Sequence, residues 1–421
     1  MDGERAYICI DLKSFYASVE CVERGLDPMT TRLVVADAAR SRGTICLAVT
    51  PAMKALGVRN RCRVFEIPSG LDYITAPPRM RLYLDYSARI YSIYLDYFSR
   101  DDIHVYSVDE VFIDVTGYLE TYKKSPLELA RFLVSEVRRR CGIPASAGVG
   151  TNLYLSKIAM DVLAKRSPDF IASLDEESYR EKLWRHTPLT DFWRIGAGTA
   201  ERLEKLGVRT MEGVARLPEE VLYKTFGIDA ELLIDHAWGR EPTTLSDIKA
   251  YKSKTHSITS GQVLMRDYTA DEVEIIIREM IDRLSLDLLD RGCVTPHISL
   301  WISYTHGANR EPSHGGTKIE PPSESDLVLI PAALALFRRI AVPGLLIRRI
   351  NISFDDVYCP AFRQETFFDD ADEKERHLRL RRTVSELRRR FGGNAVLRGT
   401  DFEEGATAIE RNKQIGGHKA D

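Results

Sequence analysis

Tyr106-Ser-Val-Asp-Glu-Val-Phe-Ile-Asp114 is a largely apolar run that is interrupted by two neighbouring carboxylates, Asp109 and Glu110. Apolar residues stand on both sides of the pair, and their spacing predicts a β-hairpin with the two acids near its tip. An acidic pair beside a buried sheet is costly unless something neutralises it. The stretch therefore indicates either a divalent metal site or a polar turn at a strand end.

A third acid stands at the end of another predicted strand. Residues 6–12 are strongly apolar up to Asp11, and the following Lys13-Ser-Phe-Tyr-Ala-Ser-Val-Glu20 predicts a helix with Ser14 as its N-cap. Ligands often bind at such strand ends in sheets that are flanked by helices. Asp11 is thus a candidate metal ligand, although a lone Asp in this position is also a common helix cap.

The composition is that of an ordinary globular chain with several domains. A length of 421 residues suggests two to four domains, and 44% hydrophobic with 29% charged residues is typical of soluble proteins. No segment approaches the roughly eighteen apolar residues that span a bilayer, and the start lacks the pattern of a signal peptide. We therefore expect a cytoplasmic protein without a membrane partner.

Cysteine content and charge narrow the function classes only slightly. The seven cysteines are scattered and form no CxxC pair, which predicts buried thiols and neither disulfides nor a zinc site. The formal net charge of −3 gives no global indication of a nucleic-acid partner. Basic residues must therefore be judged by their position in the chain.

The first 167 residues predict a split βαβ sheet with helices on one face. The predicted strands are 6–12, 32–36, 44–49, 62–67, the hairpin 103–118 and 145–150, and the predicted helices are 51–57, 79–100, 125–141 and 152–165. Lys54 and Lys157 stand on two of these helices. A solvated surface lysine is the alternative reading of Lys54.

The middle of the chain predicts a helical region with a nucleic-acid motif. Ile195-Gly-Ala-Gly198 precedes a helix, and the glycines Gly196 and Gly198 would let backbone N–H groups approach a DNA phosphate. This spacing favours a helix-hairpin-helix, and a glycine-rich turn between helices is the alternative. Residues 241–253 are polar and predict an interdomain linker.

A second βαββαβ pattern occupies residues 254–358. Lys252 and Lys254 lie in a basic cluster at its entry, which suits contact with DNA phosphates, although a solvated linker has the same composition. The tail 359–421 contains Gln364-Glu-Thr-Phe-Phe368, an acidic run, and an amphipathic helix that presents Leu380, Val384, Leu387 and Phe391. Phenylalanines in an acidic setting suggest a peptide that docks into a partner's pocket.

The three strand-end acids together predict a site for two divalent cations, about 3.5–4 Å apart, between Asp11, Asp109 and Glu110. Magnesium is favoured because it prefers oxygen ligands and keeps positions for water and phosphates. Histidine is absent from these motifs, which argues against zinc. The reaction class that needs such a site is phosphoryl transfer.

These motifs, in this order, resemble the Y-family of lesion-bypass DNA polymerases, in particular its bacterial UmuC-like branch. The residues that carry the resemblance are Ile10-Asp-Leu-Lys-Ser-Phe-Tyr-Ala-Ser-Val-Glu20, Tyr106–Asp114, Ser156-Lys-Ile-Ala159 and Ile195-Gly-Ala-Gly198. The resemblance implies an α+β fold with right-hand architecture. It implies a ferredoxin-like palm (1–28 and 75–167), small fingers (29–74), a helical thumb with a helix-hairpin-helix (168–240), a linker (241–253), a βαββαβ little finger (254–358) and a tail (359–421).

The resemblance also implies roles for single residues. Asp11, Asp109 and Glu110 would bind two Mg²⁺ ions, with the Leu12 carbonyl as a further ligand. Tyr16, next to Phe15, falls where the family places an aromatic steric gate against ribonucleotides; a core tyrosine is the alternative. Lys54 and Lys157 would contact the incoming deoxynucleoside triphosphate, with Arg59 and Arg61 as weaker candidates. Gln364, Phe367 and Phe368 would bind the sliding clamp.

Two positions depart from the family pattern. Many relatives carry a Tyr and an Arg three residues apart on the finger helix. This chain has Pro51 and Lys54 at those positions, so the tyrosine contact with the triphosphate is missing. Some relatives carry an acidic residue two positions after the first metal ligand, and this chain has Lys13 at that position. Neither change removes a metal-binding carboxylate.

The function implied is template-directed DNA polymerisation for translesion synthesis, with low fidelity and no proofreading. Its setting would be the SOS response to DNA damage in a bacterial cytoplasm, at the nucleoid, and the enzyme would act as a monomer on primer–template DNA. A non-catalytic polymerase-like repair scaffold is one alternative. A nucleotidyl cyclase with a similar palm is another, although it would need neither a helix-hairpin-helix nor a second βαββαβ domain.

Overall fold

The computed structural model describes residues 5–37, 43–253, 256–361 and 371–421. The chain divides into two compact units, Met1–Tyr251 together with Asp421, and Lys252–Ala420. The boundaries between palm, fingers and thumb within the first unit remain a prediction. In the described part of the chain, no helix is long and apolar enough to cross a membrane.

The strands are β1 (Tyr7–Leu12), β2 (Leu33–Val35), β3 (Ala48–Val49), β4 (Ile74–Ala76), β5 (Ile103–Val105), β6 (Glu110–Asp114), β7 (Ala145–Gly150), β8 (Ile171–Leu174), β9 (Ile258–Tyr268), β10 (Thr295–Tyr304), β11 (Ser313–Ser323), β12 (Ile347–Asp355), β13 (Gln414–Ile415) and β14 (His418–Lys419). The helices are α1 (Phe15–Val22), α2 (Pro51–Ala55), α3 (Met80–Leu95), α4 (Leu119–Tyr122), α5 (Pro126–Cys141), α6 (Leu153–Ile158), α7 (Glu176–Leu183), α8 (Ala197–Lys205), α9 (Met211–Arg216), α10 (Glu219–Phe226), α11 (Asp229–Trp238), α12 (Leu245–Ala250), α13 (Ala270–Arg291), α14 (Asp326–Ile340), α15 (Ala371–Phe391) and α16 (Ala408–Arg411).

A five-stranded sheet in the order β5-β6-β1-β7-β8 forms the centre of the first unit. The apolar strand β1 lies between β6 and β7 and pairs antiparallel with both. Strands β5 and β6 form the predicted hairpin, which carries Asp109 and Glu110 at its tip. The buried central strand therefore ends beside the acidic hairpin.

Glycines in β7 allow a helix to lie unusually close to this sheet. A Cβ atom at Gly148 would come within 2.1 Å of the Ser156 carbonyl oxygen, and one at Gly150 within 2.2 Å of the Ser156 nitrogen. Only glycine permits this approach of backbone to backbone. The small-residue strand thus sets α6, which carries Lys157, directly against the face of the sheet.

Residues 33–76 form a smaller sheet with the strand order β3-β2-β4. Its strands are shorter than predicted, and the strand expected over residues 62–67 is wrong: Val64–Glu66 is a 3₁₀ turn. The capping interaction of Glu66 with the backbone N–H of Arg63 (2.5 Å) favours the turn over an extended strand. Buried Val34, Met53 and Cys62 form part of the local core.

The segment predicted as a linker contains a helix. Thr244 caps α12 through a capping box with Asp247, and Leu245 is buried in a cluster with Tyr7 and Phe112 of the central sheet. Lys249 donates hydrogen bonds of 2.6 Å to two carbonyl oxygens after α3. Two apolar residues three apart, in an otherwise polar stretch, were too weak a pattern to predict this helix.

The second unit is built on an antiparallel sheet in the order β11-β10-β12-β9, with α13 and α14 packed on one face. Alternate residues of the central strands, such as Ile298, Ile302 and Ile352, are buried under these helices. This arrangement confirms the predicted second βαββαβ pattern.

The tail is a folded part of the second unit. Arg381 of α15 is 7% exposed and donates to Asp282 of α13 at 2.5 Å. Arg388 donates to the other Asp282 oxygen at 2.7 Å. Arg398 bridges Asp282 and the buried Asp326 of α14. A charged network therefore fastens the tail to both helices.

The predicted tail helix is confirmed, but its charged face makes the contact. Leu380 and Phe391 of the predicted apolar stripe are 58% and 68% exposed. Farther along, buried Glu279 of α13 accepts hydrogen bonds from the Thr407 hydroxyl and from two backbone N–H groups at the start of α16. The apolar stripe of α15 did not predict these polar contacts of the tail, because long-range ion pairs leave no periodic pattern in a sequence.

The expectation that the chain has no disulfide is wrong for one pair. Cys293 and Cys359 are joined, with Cα atoms 4.0 Å apart. A backbone bridge between Val294 and Tyr358 sets the two cysteines side by side. Because the cysteines are 66 residues apart in the chain, their pairing could not be predicted from the sequence. The other five cysteines are buried free thiols, as predicted.

Candidate active site

The ends of β1 and β6 bring the predicted acids together. Asp11 lies directly opposite Glu110 in the register of the two strands. The Leu12 N–H donates to the Asp109 carbonyl oxygen at 2.9 Å. Since side chains alternate along a strand, Asp11 shares its face with Cys9, and this is the face on which α6 packs. The central strand thus places all three acids at one corner of the sheet.

Glu110 is held by a buried cation. Both of its carboxylate oxygens lie 2.7 Å from Nζ of Lys157, and the Cys9 thiol donates to it at 3.3 Å. Glu110 and Lys157 are 8% and 7% exposed. Burial raises the pKa of Glu110, and Lys157 opposes that rise. Burial lowers the pKa of Lys157, but Cys9, Asp161 and Glu110 together raise it above its ordinary value.

The other two acids lack such a cation. The Ser107 hydroxyl donates to Asp109 at 2.6 Å. Burial raises the pKa of Asp11 to about 7; Lys165 opposes this rise, and the charges of Asp109 and Glu110 add to it. Within the described residues, no Lys or Arg side chain forms an ion pair with Asp11. Three acids so close together, with one cation among them, are a site that would be stabilised by further positive charge.

The donor chemistry of this corner fits a hard cation. The candidate ligands are carboxylate and carbonyl oxygens, which Mg²⁺ prefers. As the side chains stand, no three acidic, imidazole or thiol groups of the described chain converge tightly enough to hold an ion. Glu110 is turned towards Lys157, so an ion would have to share or replace that contact.

A row of charges on one helical segment continues the site. Lys157 contacts Asp161 at 3.0 Å, and Asp161 in turn contacts Lys165 at 2.8 Å. The predicted helix 152–165 is interrupted here, because Ala159–Leu163 forms a π-helix after α6. Such bulges are frequent at functional sites. Lys165 is a site residue that was not predicted from the sequence, although its spacing of eight from Lys157 was a usable signal.

Three lysines surround Asp11 at longer range. Burial lowers the pKa of Lys13 and of Lys54, Asp11 opposes both shifts, and Lys165 adds to both. Nζ of Lys13 lies 3.7 Å from the centre of the Phe170 ring. Lys13, Lys54 and Lys165 therefore form a basic rim beside the acids, whereas the predicted Lys157 is buried against Glu110.

Tyr16 is fixed in place by a buried network. Its ring stacks on Tyr83 with ring centres 4.4 Å apart. The Tyr83 hydroxyl donates to Glu20 at 2.7 Å, and Arg79 donates to the same fully buried carboxylate. Burial and the nearby charge of Asp109 raise the pKa of Tyr16. Tyr16 thus lies within reach of the charge of Asp109 and packs on Tyr83, whose hydroxyl is bound by Glu20. No role was predicted for Glu20.

The neighbours of Tyr16 behave differently from the predictions. Phe15 is 3% exposed and is part of the core, so its contact with a nucleotide stays a prediction. Ser14 begins α1 in the left-handed conformation (φ 49°) and makes no capping hydrogen bond. Its buried hydroxyl has no partner among the described residues. Ser14 is therefore the N-cap residue of α1, as predicted, but its side chain does not cap the helix.

The remaining predicted residues lie away from this corner. Asp114, at the other end of β6, accepts a hydrogen bond from the Thr116 N–H at 3.0 Å. Gly196 and Gly198 lie at the start of α8, with open space where side chains would be. Lys252 is exposed. Outside the described residues lie Lys254, Gln364, Phe367 and Phe368.

Comparisons with known proteins identify the family of the chain. Residues 10–161 match the impB/mucB/samB family and residues 255–367 match the C-terminal domain of that family. The chain is 30% identical over 416 residues to the UV-damage repair protein UvrX of Bacillus subtilis (strain 168), covering 98% of this chain and 97% of that protein.

Two further relatives extend the comparison. The chain is 28% identical over 429 residues to DNA polymerase IV 2 of the same organism, covering 99% of this chain and all of that protein. The fold is similar to that of a solved Y-family DNA polymerase chimera, with a TM-score of 0.66 and 22% identity over 84% of this chain and all of the other. The chain therefore belongs to the Y-family of DNA polymerases, which are DNA-directed enzymes of translesion synthesis.

Proposed function

We propose that Asp11, Asp109 and Glu110 are the catalytic carboxylates of this translesion polymerase and hold two Mg²⁺ ions, with the Leu12 carbonyl as a further ligand. The observation that carries the proposal is the register of β1 and β6, which sets Asp11 opposite Glu110 and ties Leu12 to Asp109. When bound, the ions would supply the charge that activates the primer hydroxyl and neutralises the triphosphate.

The protein's own residues prepare this site. Lys157 favours the ionised form of Glu110 and opposes the rise in the pKa of Glu110 that burial causes. Ser107 orients Asp109 through its 2.6 Å hydrogen bond. The strand ends hold the acids at fixed positions, so little reorganisation is needed when substrate binds.

The basic rim is the proposed seat of the triphosphate. Lys13, Lys54 and Lys165 lie close enough to Asp11 to influence its charge or be influenced by it. Lys157 is buried between Glu110 and Asp161, whereas Lys165 pairs with Asp161 alone and its side chain is 47% exposed. Lys54 and Lys165 are therefore better placed for this role than Lys157. Tyr16, stacked on Tyr83, would exclude a ribose 2′-hydroxyl.

Contacts with other molecules follow from the same proposal. Gly196 and Gly198 would let backbone N–H groups reach a DNA phosphate, with Lys252 and Lys254 as further phosphate contacts. Gln364, Phe367 and Phe368 would dock into the sliding clamp. The enzyme would act as a monomer in the cytoplasm, at the nucleoid, with low fidelity and without proofreading.

Primer extension by the purified chain tests the proposal. With Mg²⁺ and an undamaged template, the wild type should extend the primer, and it should also pass at least one of a panel of lesion templates. Asp109→Ala should abolish extension while primer–template affinity stays within a few-fold of wild type. No extension by the wild type, even with clamp present, would favour the non-catalytic repair scaffold instead.

A further inference from the structure

Asp161 stands between two lysines on the segment that follows α6. One of its carboxylate oxygens lies 3.0 Å from Nζ of Lys157, and the other lies 2.8 Å from Nζ of Lys165. Glu110 contacts Lys157 as well, with both of its oxygens 2.7 Å from the same Nζ atom. Charges of alternating sign therefore form one chain, from Glu110 through Lys157 and Asp161 to Lys165.

The backbone beneath Asp161 is fixed to the central sheet. A Cβ atom at Gly148 of β7 would come within 2.3 Å of the Met160 nitrogen, so the main chain next to Asp161 lies directly on the strand. Met160 is fully buried, and the Ala164 N–H closes a π turn by donating to the Ala159 carbonyl oxygen. The Asp161 side chain, 25% exposed, extends from this fixed turn. It is therefore well placed to hold a partner in a constant position.

Lys157 has two carboxylate partners in the described part of the chain, and one of them has a second task. Glu110 is a proposed metal ligand, so it has to turn at least part of its carboxylate from Lys157 towards an ion. Lys157 is only 7% exposed, and the centre of the Tyr106 ring lies 5.7 Å from its Nζ atom. A buried ammonium that loses its anion is strongly destabilised. Asp161 avoids this penalty, because it can stay on Lys157 when Glu110 turns away.

The balance of charge along the chain favours the same exchange. While Glu110 contacts Lys157, the two carboxylates and the two lysines balance one another. Once Glu110 binds a cation, two lysines share the single carboxylate of Asp161. The segment then presents net positive charge beside the acids, where an incoming triphosphate needs it.

We propose that Asp161 is a positioning residue that holds Lys157 in place when Glu110 turns to a metal ion. The inference rests on the proposed function, because it takes Glu110 as a metal ligand. Without the charge of Asp161, Glu110 would be the sole anion of Lys157, and a cation could bind only by breaking that buried pair. Neutralising Asp161 should therefore weaken metal binding, although Asp161 is not itself a ligand.

Titration of the full chain with Mn²⁺, with the free ion followed by electron paramagnetic resonance, tests this role. Mn²⁺ takes the same kinds of oxygen ligand as Mg²⁺, and the measurement needs neither nucleotide nor turnover. Asp161→Asn should weaken Mn²⁺ binding roughly tenfold, which is the size of effect expected of one charge-assisted contact. Asp96→Asn is the matched control, since Asp96 also pairs with a cation, Arg140 at 2.5 Å, at the ends of α3 and α5. It should bind Mn²⁺ as tightly as the wild type.

Single-nucleotide incorporation separates positioning from loss of fold. Asp161→Asn should raise the Mg²⁺ concentration that gives the half-maximal rate by a similar factor, and the rate at saturating Mg²⁺ should stay within a few-fold of wild type. A loss of rate at an unchanged Mg²⁺ midpoint would indicate a merely structural role and would overturn the inference. If Asp161→Asn loses helical circular dichroism, Asp161→Ser serves in its place.

Asp109→Asn distinguishes failure of this inference from failure of the proposed function. If Mn²⁺ affinity falls in Asp109→Asn but not in Asp161→Asn, the role of Asp161 alone is overturned. If it falls in neither variant, the metal site is overturned and this inference with it. We predict a fall in both variants, with Asp96→Asn unchanged.

Discussion

Replacing Lys157 with methionine is the perturbation whose size follows most directly from the structure. The substitution keeps the length of the side chain but leaves Glu110, 8% exposed, without the cation that contacts both of its oxygens at 2.7 Å. Removing one partner of a buried ion pair costs about 3–5 kcal/mol. For a unit of this size, each kcal/mol lowers the melting temperature by about 2–4 °C, so we expect a loss of about 6–20 °C.

Lys165→Met is the matched control. Lys165 contacts Asp161 at 2.8 Å, but its side chain is 47% exposed. Solvent-screened pairs of this kind contribute about 0–1 kcal/mol, so the control should melt within about 4 °C of wild type. Thermal unfolding without divalent cations, followed by circular dichroism, measures both variants. Equal and small losses would refute the reasoning, because they would mean that Glu110 does not need Lys157 when buried.

Three further predictions concern selectivity, the tail and the clamp. Tyr16→Ala should raise ribonucleotide incorporation in a competition assay, and unchanged sugar selection would make Tyr16 only a core residue. Arginines of the tail lower the pKa of Asp282, and His377 together with Arg381 and Arg398 lowers the pKa of Asp326, although burial opposes both shifts. The contribution of these two carboxylates to tail docking is therefore complete above about pH 4 and is lost as the pH falls further. Hydrogen-exchange protection factors of residues 371–391 would detect this loss, and protection that stays constant on acidification would contradict it. Deleting residues 364–368 should lower clamp-stimulated processivity but not distributive synthesis, and an equal loss of both would indicate misfolding.

The corner of the sheet where the three acids meet could be predicted because its signals are local. Asp11 and the pair Asp109 and Glu110 each end an apolar strand, and strands of one sheet place such ends near one another. Lys157 could be identified as a candidate from its motif, but its ion pair with Glu110 could not be predicted. The π-helix at Ala159–Leu163 changes the direction of the side chains that follow it, so the position of Lys165 relative to Asp11 became visible only in the structure.

Features that depend on contacts between distant residues were missed. The contact of Arg381 with Asp282 spans 99 residues, and that of Thr407 with Glu279 spans 128. The disulfide between Cys293 and Cys359 depends on a backbone bridge that no spacing rule predicts. Helix α12 was hidden because only Leu245 and Ile248 mark it as apolar. Local periodicity predicts helices and strands well, but it does not predict how a tail packs on a domain.

The central claim, that the acidic hairpin is catalytic, is tested most directly by single-nucleotide incorporation with Asp109→Asn and Asp114→Asn. Both substitutions remove one charge from the same hairpin, and Asp114 lies at the far end of β6, where it accepts from the Thr116 N–H. We predict that Asp109→Asn lowers the incorporation rate by at least about 10²–10³-fold, the usual cost of losing one electrostatic contact in the transition state, and that Asp114→Asn stays close to wild type. Equal rates for Asp109→Asn and wild type would contradict the account.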